Sequence, residues 1–533
     1  MGAVRTADAV IVGGGHHGLV AAAVLADAGW DVVLLEAEAE LGGAVRSAEH
    51  HPGFVADRFS AFYPLAAASP VLRALELDRH GLEWAHAPAV LAHPLRAEGV
   101  EAAVLYRDAE RTAVGLDANH PGDGEAWLRL CRQWQRIEPA LLRSLFTAFP
   151  PVRGPAALVR ELGVAETLRL TRFALLPAAR MGEELFGGEA ARLLLAGNTA
   201  HADAPPHAPI SGVFGWLLAM LGQHHGFPTP VGGTGRLTAA LAGRARAGGA
   251  ELRTGEPVER IVVRDGQAVA VETAAGTHVA ARRAVIADVS AHALYTQLLS
   301  PDVVPARILD DLAHRFVWDT PVVKIDWALQ EAIPWRAKGV DDAGTVHVGA
   351  DLDGLVRWSA DLETGVVPRS PFLLLGQMTT ADPTRSPAGT ESAWAYSHLP
   401  RGVPDTAAAD ELAERMEAVV DSYAPGFRDR VLHRHVQRPS DLEAADANLV
   451  GGAVNGGTAQ LFQQLIFRPV PGLGRPETPI GRLYLGSAAA HPGGGVHGVC
   501  GFLAARAALG ENGWAGPVRR RVTSAALALV HGR

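Results

Sequence analysis

A chain of 533 residues is too long for one hydrophobic core, so at least two domains are expected. With 48% hydrophobic and 20% charged residues it falls among ordinary globular proteins and outside the disordered class. A net charge of −9 excludes nucleic acid as the main partner, and two cysteines without a Cys-x-x-Cys exclude a disulfide framework and a dithiol redox centre.

The N-terminus has no apolar signal core: Met1 to Asp8 is a short polar lead. Met1 to Thr6 matches the loose myristoylation pattern, a permissive signal only a few residues ahead of the first strand. That strand is Ala9-Val10-Ile11-Val12, a short apolar run of the buried parallel kind. Leu19 to Ala28 reads as a helix closed by Gly29, and Asp31 to Glu36 as the second strand. From about Asp123 to His225 the pattern is helical, with Trp127, Leu130, Cys131 and Trp134 at helical spacing. Within it, Val213 to Leu221 is the longest near-helical apolar stretch, far short of the roughly 20 residues of a membrane span. The chain is therefore expected to be cytoplasmic and at most peripheral to a membrane.

A second α/β stretch opens near Gly232. Arg236 to Ala247 reads as a helix, Ala250 to Arg253 as a strand, and Val258–Val263 with Ala268–Thr273 as a strand pair turning at Asp265-Gly266. Ala284 to Ala287 is another buried strand. Further on, Val322–Leu329 and Phe372–Met378 read as strands and Asp410–Tyr423 as a helix. Leu483 to Leu485 feeds a glycine-rich turn and a helix from about Val496 to Leu509.

The first glycine run carries the chemistry. Gly13-Gly14-Gly15-His16-His17-Gly18 fits G-x-G-x-x-G after a strand and before a helix, with Glu36 ending the next strand. Gly13 permits the tight turn, Gly15 lets the backbone approach a pyrophosphate, and Gly18 allows close helix–strand packing. The helix N-terminus offers free N–H groups to the anion. Glu36 can accept both hydroxyls of an adenosine ribose and disfavours a 2′-phosphate. The pair Gly42-Gly43 suggests a second close approach further along an elongated cofactor. Gly493-Gly494-Gly495-Val496-His497-Gly498 repeats the pattern, but only 35 residues follow and no strand among them ends in an acid. A second NAD half-domain does not fit. A helix N-terminus aimed at a flavin ring does, where it would stabilise charge developing on reduction. FAD is the cofactor this reading selects.

These residues resemble the amine-oxidase/phytoene-desaturase superfamily of FAD enzymes. Gly13–Gly18, Glu36 and Gly42-Gly43 look like its opening, and Leu483 to Ser487 with His491 to Gly495 like the flavin-binding close of the phytoene desaturase branch. Pro230 to Leu237 and Phe467-Arg468-Pro469 match internally, so the likeness spans nearly the whole chain. It is nearest to the phytoene dehydrogenase-related group named for a pyridine-nucleotide-disulphide-oxidoreductase domain, a name at odds with the missing cysteine pair. The resemblance implies that Gly13, Gly15, Gly18 and Glu36 hold the ADP part of FAD. Gly42 and Gly43 would lie along the pyrophosphate, Val258 would touch adenine through its backbone, and Gly486, Gly495 and Val496 would flank the flavin. Many relatives carry Arg directly after the glycine pair, where this chain has Ala44; Arg46 either substitutes or leaves that contact unmade.

The expected fold is α/β: a discontinuous Rossmann-like FAD-binding domain (1–80, 230–300 and 476–533, with a C-terminal helix) and an inserted α+β substrate domain (81–229 and 301–475). For catalysis, His491 lies in the turn expected to face the flavin, where it exchanges protons, or instead caps the turn or packs against the ring. Lys324 lies on an alternating strand. A lysine near flavin N5 is implied by the amine-oxidase resemblance, and a solvated strand face is the plainer reading. His16 and His17 read as pocket lining, His497 as neutral at a helix N-terminus, and Cys500 as a packed thiol. The pairs His50-His51, His224-His225 and His433-x-His435 have no second pair nearby in sequence, so no metal centre is expected. Gly232 to Arg236 resembles a phosphate loop without its Lys-Ser/Thr end. Arg519–Arg521 with Ala525–Val530 reads either as a membrane-surface helix or as a docked one.

The function expected is an FAD-dependent dehydrogenase, desaturase or oxidase acting on a hydrophobic small molecule. Electrons would pass to O₂, a quinone or another acceptor. The same sites would serve a redox-neutral flavin isomerase. A cofactor-less escort protein on this fold is disfavoured by glycines and acid kept together.

Overall fold

The computed structural model describes residues 5–202 and 204–531. The myristoylation pattern falls largely on residues 1–4, outside the described part.

Two seven-stranded sheets carry the architecture. In the first, strand Arg5–Val12 lies between Val32–Leu35 and His278–Ala287, parallel to both, and Glu251–Arg253 extends the sheet beyond Val32–Leu35. The last strand, Leu483–Leu485, pairs in parallel with the second half of His278–Ala287. The first half of that strand pairs with the hairpin Val258–Arg264/Gln267–Thr273. The hairpin turns at Asp265 and Gly266, both at positive φ (50° and 71°), the backbone a two-residue turn requires. Apolar residues alternate between the two faces of Arg5–Val12, so both sides are buried. This is why these parallel strands read as unbroken apolar runs.

The second sheet runs in the order Val431–Gln437, Val322–Leu329, Glu391–His398, Leu373–Gln377, Ala343–Val348, Ala89–Pro94 and Ala102–Leu105. One face packs on the amphipathic helix Asp405–Tyr423 through Leu412, Ala413, Met416 and Val420. Every residue of Val322–Leu329 is buried. The expected solvated face at Lys324 is therefore wrong: alternation is present, but both faces of this inner strand are covered.

Between residues 109 and 225 the chain is a stack of helices. Trp127, Leu130, Cys131 and Trp134 face inward from Asp123–Leu145, and the Trp134 indole meets Trp216 edge-to-face at 5.4 Å. The C-terminal glycine turn is followed by a helix at Val499–Glu511, three residues later than expected. Gly498 sits at φ 73°, a left-handed conformation that a right-handed helix cannot include. Val496 consequently belongs to the turn. The final helix, Gly516–His531, docks through Leu527 and through Arg307, which donates to the Val530 carbonyl at 3.1 Å. No helix among the described residues is long and apolar enough to cross a membrane.

Candidate functional site

The site forms where the carboxyl ends of three parallel strands meet, the place where open α/β sheets bind ligands. Asp288 N–H donates to the Val12 carbonyl at 2.7 Å and Gly486 N–H to the Ala287 carbonyl at 2.8 Å, so the three strand ends are stitched side by side. The first glycine turn rests on this seam. Gly13 has φ 98°, and a Cβ there would stand 2.5 Å from the Asp288 carbonyl oxygen. A Cβ on Gly18 would stand 2.2 Å from the Gly13 carbonyl oxygen. Helix His16–Asp27 then begins with no side-chain cap from its N-cap residue Gly15 and no acidic residue in its first turn; the Gly18 N–H goes to Asp288, and the positive dipole end faces the turn, where an anion is favoured. Gly42 bridges in parallel to Gly15 and donates to the Gly14 carbonyl at 2.9 Å, which brings the second glycine pair onto the same turn.

Three carboxylates surround this turn. Glu36 accepts the N–H of Gly14 at 2.6 Å and of Glu38 at 2.9 Å, which orients its carboxylate; burial raises its pKa against those bonds. Its backbone is sewn to the segment leading into Val258: Glu36 N–H donates to Arg253 and Glu256 N–H to Glu36. Val258 thus lies at the ribose end of the turn, half-buried. Asp288 accepts the Gly18 N–H at 2.7 Å, and burial pushes its pKa up to about 8. Asp446 approaches Gly43, and its pKa is likewise raised by burial. Neither Asp was singled out from sequence. For Asp288 a signal existed: it directly follows a buried strand, where ligand loops begin.

Arg46 donates through Nε to the Gly43 carbonyl at 2.9 Å and through Nη2 to the Ala445 carbonyl, and its guanidinium lies 5.3 Å from the Phe59 ring centroid. It fastens the glycine pair to the segment bearing Asp446. The Gly232–Gly235 loop is not an anion cradle: its N–H groups go to Asp382, Asp57 and Ser47, and both aspartates pair with the buried Arg385.

The second glycine turn closes on the first. Helix Val499–Glu511 packs so tightly on His16–Asp27 that a Cβ at Gly501 would stand 1.9 Å from the His17 carbonyl oxygen. Gly495 has φ 113°, and the turn is held from behind by buried Arg468, which donates to the carbonyls of Ala488 and Asn455. His16 and His17 are drawn into this junction. His16 Nε2 and both ring nitrogens of His17 are buried without a hydrogen-bond partner among the described residues. Burial pushes His16 down to about 4 and His497 to about 3, so these rings are neutral. His497 Nδ1 accepts the Val499 N–H at 3.0 Å and caps the second helix. Cys500 is a packed thiol pushed up to about 12 by burial.

His491 is buried in the turn with Nε2 3.1 Å from the Thr147 carbonyl, and burial takes it down to about 4. That ties the turn to the end of helix Asp123–Leu145. Lys324 is buried against Asp326, whose other oxygen receives Gln437 Nε2 at 3.1 Å. Outside this pair, histidines distant in sequence come together: His50 stacks on His435 with centroids 3.9 Å apart, and His51 on His433 at 5.7 Å. These rings stack without forming a group of donor atoms close enough to hold a metal among the described residues.

With this geometry in hand, comparison with known proteins settles the family. The pattern described as "Flavin containing amine oxidoreductase" matches residues 18–508. The chain belongs to the flavin-containing amine oxidoreductase family. It is 28% identical over 551 residues to "Pyridine nucleotide-disulfide oxidoreductase domain-containing protein 2" of Rattus norvegicus, covering 93% of this chain and 92% of that one. A limonene dehydrogenase component of Castellaniella defragrans is 23% identical over 547 residues, covering 96% and 97%. Among solved structures, cyclohexylamine oxidase from Brevibacterium oxydans superposes with a TM-score of 0.57 at 17% identity, covering 95% of this chain and 99% of that one.

The cofactor of this family member is FAD, and the residues present fit it. A turn whose glycines leave no room for a Cβ, a helix N-terminus with no acid in its own first turn and an oriented Glu36 suit the ADP half. Orphaned buried nitrogens on His16 and His17 lie where the two glycine turns meet. Gly13, Gly15, Gly18, Glu36, Gly42 and Gly43 gather at the first glycine turn, Val258 follows the Glu256 that bonds Glu36, and Gly495 and Val496 lie in the second turn, after the strand that Gly486 ends.

Proposed function

We propose that this protein is an FAD-dependent dehydrogenase or desaturase that takes a hydride from an apolar or amphipathic organic substrate, making a C=C or C=N bond. Electrons then leave to O₂, a quinone or another acceptor. The observation that carries the reading is the convergence of two glycine turns from opposite ends of the chain on one helix N-terminus, with Gly501 packed directly on the His17 backbone.

Bound FAD supplies the two-electron acceptor for the hydride. The protein's own work is binding, orientation and proton handling. The helix start at His16–Asp27 would hold the pyrophosphate, Glu36 the ribose, and the backbone at Val258 the adenine. Gly486, Gly495 and Val496 would flank the flavin edge. Lys324, an ammonium held against Asp326, passes a proton to that carboxylate as it takes up the one released on dehydrogenation. His491, neutral and anchored to Thr147, positions the turn. On this reading residues 1–80, 230–300 and 476–533 form the FAD domain, and 81–229 with 301–475 the substrate domain.

An apolar substrate is supported by the cluster that Phe62 and Met378 form with Trp394 and Tyr396 of the second sheet and by the limonene named for the Castellaniella relative. Contact with a membrane surface belongs to the same proposal: Trp514 is 98% exposed and Leu529 87% on the basic C-terminal segment.

The test is the visible spectrum of the purified protein, before and after anaerobic addition of a polyene and an amine panel. Bleaching by one class establishes the reaction and names the substrate class. Flavin that never bleaches favours an isomerase. A colourless protein that cannot be reconstituted with FAD refutes the proposal.

A further inference from the structure

The apolar helix Ser211–His225 ends in three polar residues, Gln223, His224 and His225, at the edge of the helical stack. Gln223 is fully used: it accepts the Trp127 indole N–H at 2.8 Å and donates to the carbonyls of Tyr106 and Arg107. His224 and His225 turn instead onto one carboxylate of the neighbouring helix Asp123–Leu145. His224 Nδ1 lies 2.6 Å from one oxygen of Glu138, and His225 Nε2 lies 2.6 Å from the other. One ligand atom from each residue lies within 4.8 Å of both others. Glu138 is buried, while the His224 side chain is 48% exposed.

We propose that Glu138, His224 and His225 form a binding site for a divalent transition metal of the zinc class, with solvent completing the coordination on the His224 side. Two imidazole nitrogens and a carboxylate oxygen are the donor set such ions take. Two features of the setting favour a cation. The imidazoles come from a helix C-terminus, the negative end of the dipole. The carboxylate is sheltered, so it holds its position rather than ranging through water. The change needed is small. Metal–nitrogen bonds of about 2.0–2.1 Å put tetrahedral ligand atoms roughly 3.3 Å apart. Each imidazole therefore presents a bare ring nitrogen to the ion, its proton moving to the other ring nitrogen or, from a charged ring, to solvent, and withdraws from the carboxylate by less than about 1 Å, as the half-exposed His224 can do. The bound ion would staple the end of one core helix to the next. The other convergent donor group among the described residues, His17, His497 and Cys500, is buried at the junction of the two glycine turns.

The experiment is equilibrium dialysis of metal-stripped, FAD-loaded protein against Zn²⁺, with metal analysis. The wild type should bind one equivalent at this site, more weakly at about pH 5.5 than at about pH 7.5 because ligand imidazoles must be neutral. His224→Ala, at a half-exposed position, and Glu138→Gln should each weaken that binding by more than the roughly 10–100-fold caused by losing an outer-sphere partner. The flavin spectrum, read in the same samples, should not change, so failure here stays distinct from failure of the FAD reading. A wild type that binds no Zn²⁺ overturns the proposal. So does binding that is unchanged in His224→Ala, a variant whose folding is checked by its far-UV circular dichroism.

Discussion

Asp288 accepts the N–H of Gly18 at 2.7 Å across 270 residues of sequence. The same carboxylate fills the space a side chain at Gly15 would need, since a Cβ there would lie 2.7 Å from Oδ2. One buried acid therefore sets the height of the cofactor turn above the sheet, and its own N–H, bonded to Val12, fixes it to the central strand.

Burial raises Asp288 from 3.8 to about 8. A carboxyl raised in the folded state contributes stability that is complete below its unfolded pKa and is lost as pH rises through its folded pKa. The window is about pH 4 to 8, and the loss is roughly 1 kcal/mol per pH unit at most. Asp288→Asn keeps an acceptor for Gly18 and carries no charge. Its melting temperature relative to wild type should rise from about pH 5 to about pH 8 and then level off. A constant difference across that range would mean Asp288 is not the group responsible.

Gly18→Ala brings a Cβ to 2.2 Å from the Gly13 carbonyl oxygen, a contact between two backbones that no rotamer change relieves. Overpacking of this kind costs about 1–3 kcal/mol, and here the strain falls on the pyrophosphate turn. The expected outcome is a folded protein purified with little or no FAD. Retention of full flavin content would show that the turn does not bind as argued.

What was legible in sequence was local. Gly13 to Gly18 and Glu36 lie within one strand–turn–helix–strand unit, so spacing alone carries their meaning. The C-terminal turn was legible for the same reason, although the helix start was misplaced because only the backbone reveals that Gly498 is left-handed. Asp446 and Arg385 were silent, since a lone charged residue acquires its role from partners far along the chain, and Asp288 offered only its place directly after a buried strand. Lys324 was misread on its bland side because alternation reports two different faces, not which of them meets water. The stacking of His50 and His51 on His435 and His433 was silent likewise: the partners sit on other elements.

Glu36 accepts two backbone N–H groups, yet a carboxylate has lone pairs left for a ribose. Glu36→Gln places an amide N–H against one of those donors and weakens the acceptor. Hydrogen bonds to charged groups are worth about 1.5–3 kcal/mol, so FAD affinity should fall about 10- to 150-fold. Fluorescence titration of the apoprotein measures it. An unchanged Kd would place the ribose elsewhere.

Lys324 and Asp326 are both buried in the middle of the second sheet, so the pair costs desolvation that neither partner recovers in water. Such a pair is either structural or chemical, and Lys324→Met separates the two. If Lys324 handles the proton, the variant keeps its flavin spectrum while substrate bleaches it about 10²- to 10⁴-fold more slowly, the usual worth of general acid–base help. If the pair only holds the sheet together, bleaching proceeds at the wild-type rate and the loss appears as stability, about 3–5 kcal/mol for stranding one buried charge. Burial raises the Asp326 pKa, while the Lys324 ammonium opposes that rise. Removing the lysine therefore lets Asp326 take up a proton, which shrinks the stability loss but restores no proton acceptor beside the substrate. The double variant Lys324→Met/Asp326→Asn should regain stability over Lys324→Met and remain as slow. Recovery of rate in the double variant would show that the lost activity had come from misfolding rather than from a missing lysine.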